Sequence, residues 1–264
     1  LFSETSTRDT VLHNTVDVMA RYDRPKWAAE TGWRQNTIDH DTPEFESNDY
    51  NEDVIAVLAG YKILPKTLLL AEFDWGTIYY DVNDRNADHD YIQILGGVRG
   101  DPTEKFTAIV KGGYQGRWLG DVVGEINQTD FDGLVALTDL TYRVSDSDSA
   151  RLGYVRTIRT STFQSNSWYR EDKISASYRK RLLRKWYLTP SLSWQLSDYP
   201  ESTTVAGEER RRDDQFWQAG VSLQYKIQDW LWTGVRYNFR KRNSNYDRFD
   251  YENNRIVFDV TATF

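Results

Sequence analysis

The last eleven residues of the chain, 254–264, alternate between apolar and mostly polar side chains. In an extended strand, Ile256, Phe258 and Val260 would point to one side and Arg255 and Asp259 to the other. One side suits an apolar surrounding and the other suits water. A tilted strand needs about 9–11 residues to cross a lipid bilayer. The segment therefore has both the pattern and the length of a membrane-spanning strand.

The same period of two recurs along the whole chain, with enrichment in aromatic and β-branched residues, and it predicts about thirteen strands. The predicted strands lie near 10–23, 26–38, 50–63, 67–81, 89–100, 104–119, 130–144, 149–163, 168–181, 186–199, 213–227, 230–243 and 252–264. The one helix-favouring cluster, 179–185, is short and basic, and it is predicted to form a tight turn.

The predicted connections alternate between short and long. The short ones lie near 23–25, 64–65, 100–102, 145–148, 182–184 and 228–229, and the long polar ones near 39–50, 81–90, 120–130, 163–168, 199–213 and 243–252. A meander across a membrane has tight turns on one side and longer loops on the other. A soluble sandwich with Greek-key connections has no reason to sort its loops in this way.

Composition is consistent with this interpretation. No run of about 18 apolar residues is present, which excludes a transmembrane helix. The same criterion does not detect a β-barrel, because its lumen face and loops are polar. The net charge of −7 argues against nucleic-acid binding. The chain has no cysteine, which excludes a disulfide framework and thiolate metal sites.

The two faces of the predicted strands indicate which side meets water. The polar face carries too many charges for a packed interior, because an unpaired buried charge is costly. A closed barrel with this face inwards would pair every backbone group and have a wet, charged lumen. Aromatic rings near the ends of the apolar face fit membrane-interface girdles. The predicted fold is an all-β, transmembrane antiparallel up-and-down β-barrel, with residues 1–264 as a single domain.

Thirteen is an odd number, whereas a single-chain bacterial barrel needs an even number of strands. We therefore expect either that the segment lacks amino-terminal strands of a barrel with 14–18 strands in all, or that the count of thirteen is off by one. We also expect a removed signal peptide upstream.

Four hairpin segments, 60–72, 97–107, 150–154 and 252–258, resemble a bacterial outer-membrane family known as the putative second-type β-barrel porins. Gly97-Val-Arg-Gly-Asp-Pro-Thr-Glu-Lys105 follows that family's pattern Gly-x-Arg-x-Asp-Pro-Thr-x-Lys, and 60–72 resembles its pattern Gly-x-Tyr-x-Leu-x-Pro-Lys-Thr-x-Leu. The resemblance covers essentially the whole chain, and its motifs determine turns rather than chemistry.

The resemblance implies a location and a set of partners. The location is the Gram-negative outer membrane, in contact with the lipid bilayer and lipopolysaccharide. Many members are encoded beside exopolysaccharide genes, which implies export of a secreted polysaccharide together with a periplasmic polysaccharide-export protein. In such barrels the final aromatic residue, here Phe264, is read by the barrel-assembly machinery.

A lumen for an acidic sugar polymer would need basic and aromatic side chains. Arginine guanidinium groups bind carboxylates in a bidentate manner, and aromatic rings can stack on sugars. The predicted lumen and substrate-path residues are Arg99, Lys111, Arg117, Arg143, Arg179, Arg236, Arg240, Arg255, Glu72 and Asp74; Arg242, Glu30, Asp139 and Asp259 share the same face. The alternative is that these charges pair across strands and only brace the wall. The basic cluster 179–185 either docks an acidic periplasmic partner or is a solvated turn.

The predicted function is a passive channel with no enzymatic activity, no cofactor and no metal. Its rivals are a general diffusion porin for small solutes, a structural or adhesive barrel with a closed lumen, and a lipid-modifying enzyme that uses one of the three histidines, His13, His40 or His89. The acidic loops at 39–53 and 81–90 could hold divalent cations through several oxygens, but neither matches a defined Ca²⁺ loop.

Overall fold

In a computed structural model, thirteen antiparallel strands form one continuous sheet in which every strand pairs with its neighbours in the chain. The structure describes residues 10–82, 87–120, 130–163, 166–205 and 207–263. The strands are β1 (Val11–Asp23), β2 (Trp27–His40), β3 (Tyr50–Leu64), β4 (Thr67–Tyr80), β5 (His89–Thr103), β6 (Phe106–Leu119), β7 (Phe131–Arg143), β8 (Ser149–Phe163), β9 (Asn166–Leu183), β10 (Trp186–Val205), β11 (Glu208–Gln228), β12 (Leu231–Ser244) and β13 (Tyr251–Ala262). Short 3₁₀ turns occupy Pro43–Asn48 and Asp247–Phe249. The predicted all-β, up-and-down fold is confirmed.

Across the described ranges, the structure holds no helix with the length and apolar character that a membrane span requires.

Five of the six connections at one end of the sheet are the tight turns that the sequence predicts, and the cluster 179–185 forms the end of β9 and one such turn. The predicted turn at 100–102 is wrong: a register shift between Gly100 and Thr103 lets β5 continue to Thr103, and the turn lies at 104–105. At the other end, the predicted loops at 163–168 and 199–213 are wrong. There β9 begins at Asn166, β10 continues to Val205, and β11 begins at Glu208. A register shift between Asp198 and Ser202 lets these polar segments keep pairing, and Gly207, with φ of 85°, sits in the tight reversal. Phe264 lies outside the described residues.

The pairing register sorts side chains into an apolar face and a polar face. The apolar face is open to its surroundings: the side chains of Ile94, Leu134, Ile256 and Phe258 are 58–82% exposed. On the polar face, side chains of strands three apart meet, as Arg99 of β5 meets Glu30 of β2. Such contacts require a concave surface, so the polar face is the inner face of a curved sheet and the apolar face is the outer one.

Aromatic rings on the outer face form two belts. Trp27 packs against Tyr61 and Trp186 against Tyr225, each with ring centroids 4.8 Å apart, close to the short turns. A second row of exposed rings includes Trp217, eight residues before Tyr225 on β11. At about 3.3 Å per residue the two belts are roughly 26 Å apart along the strand. For a strand tilted by about 35–45° this is a height of roughly 20 Å, comparable with the apolar band of about 25 Å of an outer-membrane barrel.

Candidate functional site

The inner face carries all ten residues that the sequence predicts for the lumen. The Cα pairings align Asp74 with Gln93, Gly97 with Lys111, Tyr91 with Arg117, and Ser222 with Arg236 on this face. Neighbouring strands place side chains of paired residues on the same side of the sheet. The structure, however, divides these residues into two groups with different surroundings.

Several charged side chains on the wall formed by β2–β6 are bound by other side chains of the same wall. Arg99 donates two hydrogen bonds of 2.6 and 3.2 Å to the carboxylate of Glu30. Lys111 Nζ lies 2.5 Å from Glu72 Oε2, and both side chains are only 16% exposed. Asp74 accepts a 3.0 Å hydrogen bond from the side-chain amide of Gln93. On this wall, the bracing alternative describes the predicted residues correctly.

Arg117 is held without a carboxylate among the described residues. Its guanidinium lies 4.7 Å from the ring centre of Tyr91 and donates 2.9 and 3.0 Å hydrogen bonds to Thr160 Oγ1 and His89 Nε2. Because His89 Nδ1 lies 2.9 Å from the backbone oxygen of Ala87, the ring donates there and accepts from Arg117 through Nε2. His89 is therefore a neutral structural link.

The contact between Arg117 and Thr160 has a structural consequence. The end of the β8–β9 hairpin bends towards the inner face, where Ile158 is buried with Leu95, Phe131 and Val135. Trp168 joins this cluster, with its ring centroid 4.9 Å from that of Phe131. The sequence does not reveal this cluster, because its members come from four different strands.

The wall formed by β9–β13 holds the other arginines. Arg179 stacks over the ring of Tyr187 at 4.7 Å, and Arg240 over the ring of Phe216 at 4.9 Å. For Arg179, Arg236, Arg240 and Arg255, no described carboxylate lies within ion-pair distance. Their charges remain available to whatever fills the lumen. Arg143, near the short turns, donates a 3.4 Å hydrogen bond to the backbone oxygen of Glu104.

A second cluster, near the long-loop end of this wall, was missed because the sequence predicts 199–213 as a loop. Asp214 is fully buried and accepts hydrogen bonds from Arg212 at 2.8 Å and from Arg242 at 2.5 Å. The Arg212 guanidinium also lies 3.9 Å from the ring centre of Phe249. The connection between β12 and β13 is therefore pinned against the inner face.

His40 and the acidic loop 39–53 show a structural role, whereas residues 83–86 of the acidic loop 81–90 lie outside the described residues. His40 Nδ1 lies 2.5 Å from Asp49 Oδ1, and the same carboxylate oxygen accepts the backbone N–H of His40 at 2.9 Å, so this pair closes the β2–β3 connection. In the described parts of the chain, no group of three or more histidine and carboxylate side chains is arranged to hold a metal ion.

Comparisons with known proteins agree with this architecture. A family model described as "Putative beta-barrel porin 2" matches residues 19–264. The outer membrane channel DcaP of Acinetobacter baumannii superimposes with a TM-score of 0.57 at 12% identity, over 95% of this chain and 84% of that one. The alcaligin outer membrane receptor FauA of Bordetella pertussis gives 0.52 at 11% identity, over 96% of this chain and 50% of that one. No curated protein matches in sequence.

Proposed function

Because this chain belongs to the family "Putative beta-barrel porin 2", we propose that it forms a passive, water-filled channel through which a secreted exopolysaccharide leaves the cell. The protein is an outer-membrane β-barrel of the porin type, and its surroundings are the bacterial outer membrane with its lipid bilayer and lipopolysaccharide. The proposal of polymer export rests on the chemistry of the inner face.

The observation that carries the proposal is the chemistry of the inner face along β8–β13. Successive positions there are serine, glutamine and asparagine interspersed with arginines, and aromatic rings lie under Arg179 and Arg240. Hydroxyl and amide groups can exchange hydrogen bonds with sugar hydroxyls, and rings can stack on sugar faces. A conducting pore needs many weak contacts rather than one strong site, because the substrate must also leave.

The proposed partners follow from the direction of transport. The polymer would reach the short-turn end from the periplasm, and a periplasmic polysaccharide-export protein would deliver it there. Assembly of the barrel would use Phe264 as its recognition residue. No covalent step is required, so the channel uses no cofactor. The engagement of His89 by Arg117 and of His40 by Asp49 supports a structural role for both histidines rather than lipid hydrolysis.

The test is single-channel conductance in a planar bilayer, with neutral and acidic polysaccharide fragments added on either side. Open current that is blocked by polymer fragments would support the exporter. Steady current that is indifferent to polymer would favour a general diffusion porin. A silent barrel would contradict both and would favour a structural or adhesive barrel with a closed lumen. Lipid turnover that disappears in His40→Ala would establish the enzymatic rival.

A further inference from the structure

A groove with a floor of small residues runs along the inner face of β8–β12. Its floor is formed by Ser175 and Ser177 of β9, Ser191 and Ser193 of β10, and Gly220 of β11, and we name these five residues the serine floor. The pairings Ser175–Ser193, Ser177–Ser191 and Ser191–Gly220 place them side by side. Two adjoining depressions of about 470 and 390 Å³ lie over this floor and share Arg151, Ser177 and Ser191.

Cations border the groove on both sides. Lys173 and Arg179 lie on β9, and Arg236 lies on β12 in register with Ser222. Three strand spacings of about 4.8 Å separate β9 from β12, so Arg179 and Arg236 face each other across about 14 Å of small side chains. Between Lys173 and Arg179, and between Arg236 and Arg240, the described inner-face positions include no carboxylate. Asp139 lines the larger depression, where its carboxylate accepts a 2.9 Å hydrogen bond from Arg151 and is thereby neutralised.

The hydroxyls of the floor are unengaged. In the described part of the chain, the side chains of Ser175, Ser177, Ser191 and Ser193 neither donate nor accept a hydrogen bond with protein, although the lumen exposes them. Gly220 leaves space in the groove because it has no side chain. A Cβ at this position would come within 2.8 Å of Ser191 Oγ and 2.9 Å of Asn238 Oδ1. Hydroxyls below and guanidinium groups at the sides are complementary to a sugar chain that bears acidic groups.

The opposite wall lacks these features. There Arg99 and Lys111 are neutralised by Glu30 and Glu72, so the inner face of β2–β6 offers few free charges. Leu58, Leu68 and Leu70 are buried on the same wall, towards the short turns. Apart from Arg117, which is engaged by His89 and Thr160, the free positive charge of these two walls is therefore concentrated on β9–β13, next to the serine floor.

We propose that this groove is a binding track for an anionic polysaccharide, in which Arg179 and Arg236 contact the acidic groups and the serine floor contacts the sugar hydroxyls. This inference rests on the proposed export function and adds the charge class of the polymer. It assigns specificity to one wall of the lumen rather than to the lumen as a whole.

The test is equilibrium binding of a fluorescently labelled oligogalacturonate to the whole chain in detergent, with a neutral dextran oligomer of equal length as the second probe. The acidic probe should bind more tightly than the neutral one. In the double variant Arg179→Gln/Arg236→Gln its affinity should fall by about tenfold, because two charge-assisted contacts are lost. The variant Arg179→Lys/Arg236→Lys keeps the charges but removes the bidentate guanidinium groups. Its affinity for the acidic probe should lie between those of the unchanged protein and the glutamine variant.

The matched control removes the same two charges outside the lumen, in Lys66→Gln/Arg184→Gln at two of the short turns. Equal loss of affinity in the control and the groove variant would overturn the inference, and so would equal binding of both probes. Retained barrel resistance to heat in gel electrophoresis would show that each variant is folded. Because binding is measured without transport, a silent channel that still binds the acidic probe through Arg179 and Arg236 would reject the export function and keep the groove.

Discussion

The guanidinium of Arg99 on β5 meets the carboxylate of Glu30 on β2 through two parallel hydrogen bonds of 2.6 and 3.2 Å. The two residues are three strands apart, so the pair fixes the curvature of the sheet and not only its register. A bidentate ion pair of this kind is stronger than one with a single hydrogen bond. The pair also neutralises two of the charges on the wall formed by β2–β6.

Replacing Arg99 with glutamine should destabilise the barrel. Glu30 is only 17% exposed, and the change leaves its carboxylate with just the longer 3.7 Å contact to Arg21, so we expect a loss of about 1–2 kcal/mol in the free energy of unfolding. Urea unfolding in lipid vesicles measures this loss. Arg240→Gln is the matched control, because no described carboxylate pairs with Arg240, and it should change stability by less than about 0.5 kcal/mol.

The single variants Glu30→Gln and Arg99→Gln and the Glu30→Gln/Arg99→Gln double variant form a double-mutant cycle. The double variant should be more stable than the two single losses added together, with a coupling of about 1 kcal/mol. Strict additivity would show that the pair contributes nothing and would remove the bracing role from this wall.

An arginine at Ile256 tests which face meets lipid. Ile256 is 63% exposed and lies near the middle of β13 on the apolar face. A charge there should cost about 2–4 kcal/mol of unfolding free energy in a bilayer, because arginine is most unfavourable at the midplane. Asn253→Arg on the same strand faces the lumen and should cost less than about 1 kcal/mol. Equal costs in vesicle unfolding experiments would contradict the assignment of the faces.

Much of the fold is predictable from sequence because side chains along a strand point to the same face at every second residue. In β12 and β13 this period alone places Arg236 and Arg255 on the inner face, where the structure has them. The prediction for the segment 199–213 is wrong because its run of glutamates and arginines, 208–212, has no period of two. Its conformation is decided by pairing between Thr203 and Arg210 across the hairpin.

The pairing state of each lumen charge could not be predicted in the same way. Both Arg99 and Arg236 are inward-facing arginines that directly follow a valine. Arg99 finds Glu30 only because the sheet bends enough to bring β2 and β5 together. Curvature is a property of all thirteen strands, so no local pattern contains it.

Arg117 should hold the end of the β8–β9 hairpin against the inner face. Arg117→Lys keeps the charge but cannot bond Thr160 and His89 together while lying over Tyr91. We expect amide hydrogens of 158–163 and 166–168 to exchange about tenfold faster, because a loss of about 1.4 kcal/mol in local opening free energy gives that factor. Arg255→Lys on β13 is the control and should leave exchange in these residues unchanged. Unchanged exchange in both variants would show that the buried cluster around Ile158 holds the hairpin by itself.

Two adjacent glycines on β5 should respond oppositely to alanine. A Cβ at Gly97 would overlap the backbone oxygen of Val110 on the neighbouring strand, and backbone cannot move aside cheaply. Gly97→Ala should therefore cost about 1–3 kcal/mol, as overpacking does. Gly96 faces outwards with nothing within 4 Å of the added carbon, so Gly96→Ala should be neutral or should stabilise the barrel by about 0.5–1 kcal/mol through a less flexible unfolded chain. Urea unfolding of the two variants side by side measures the difference. If Gly97→Ala were as stable as Gly96→Ala, β5 and β6 would not approach as closely as the structure has them.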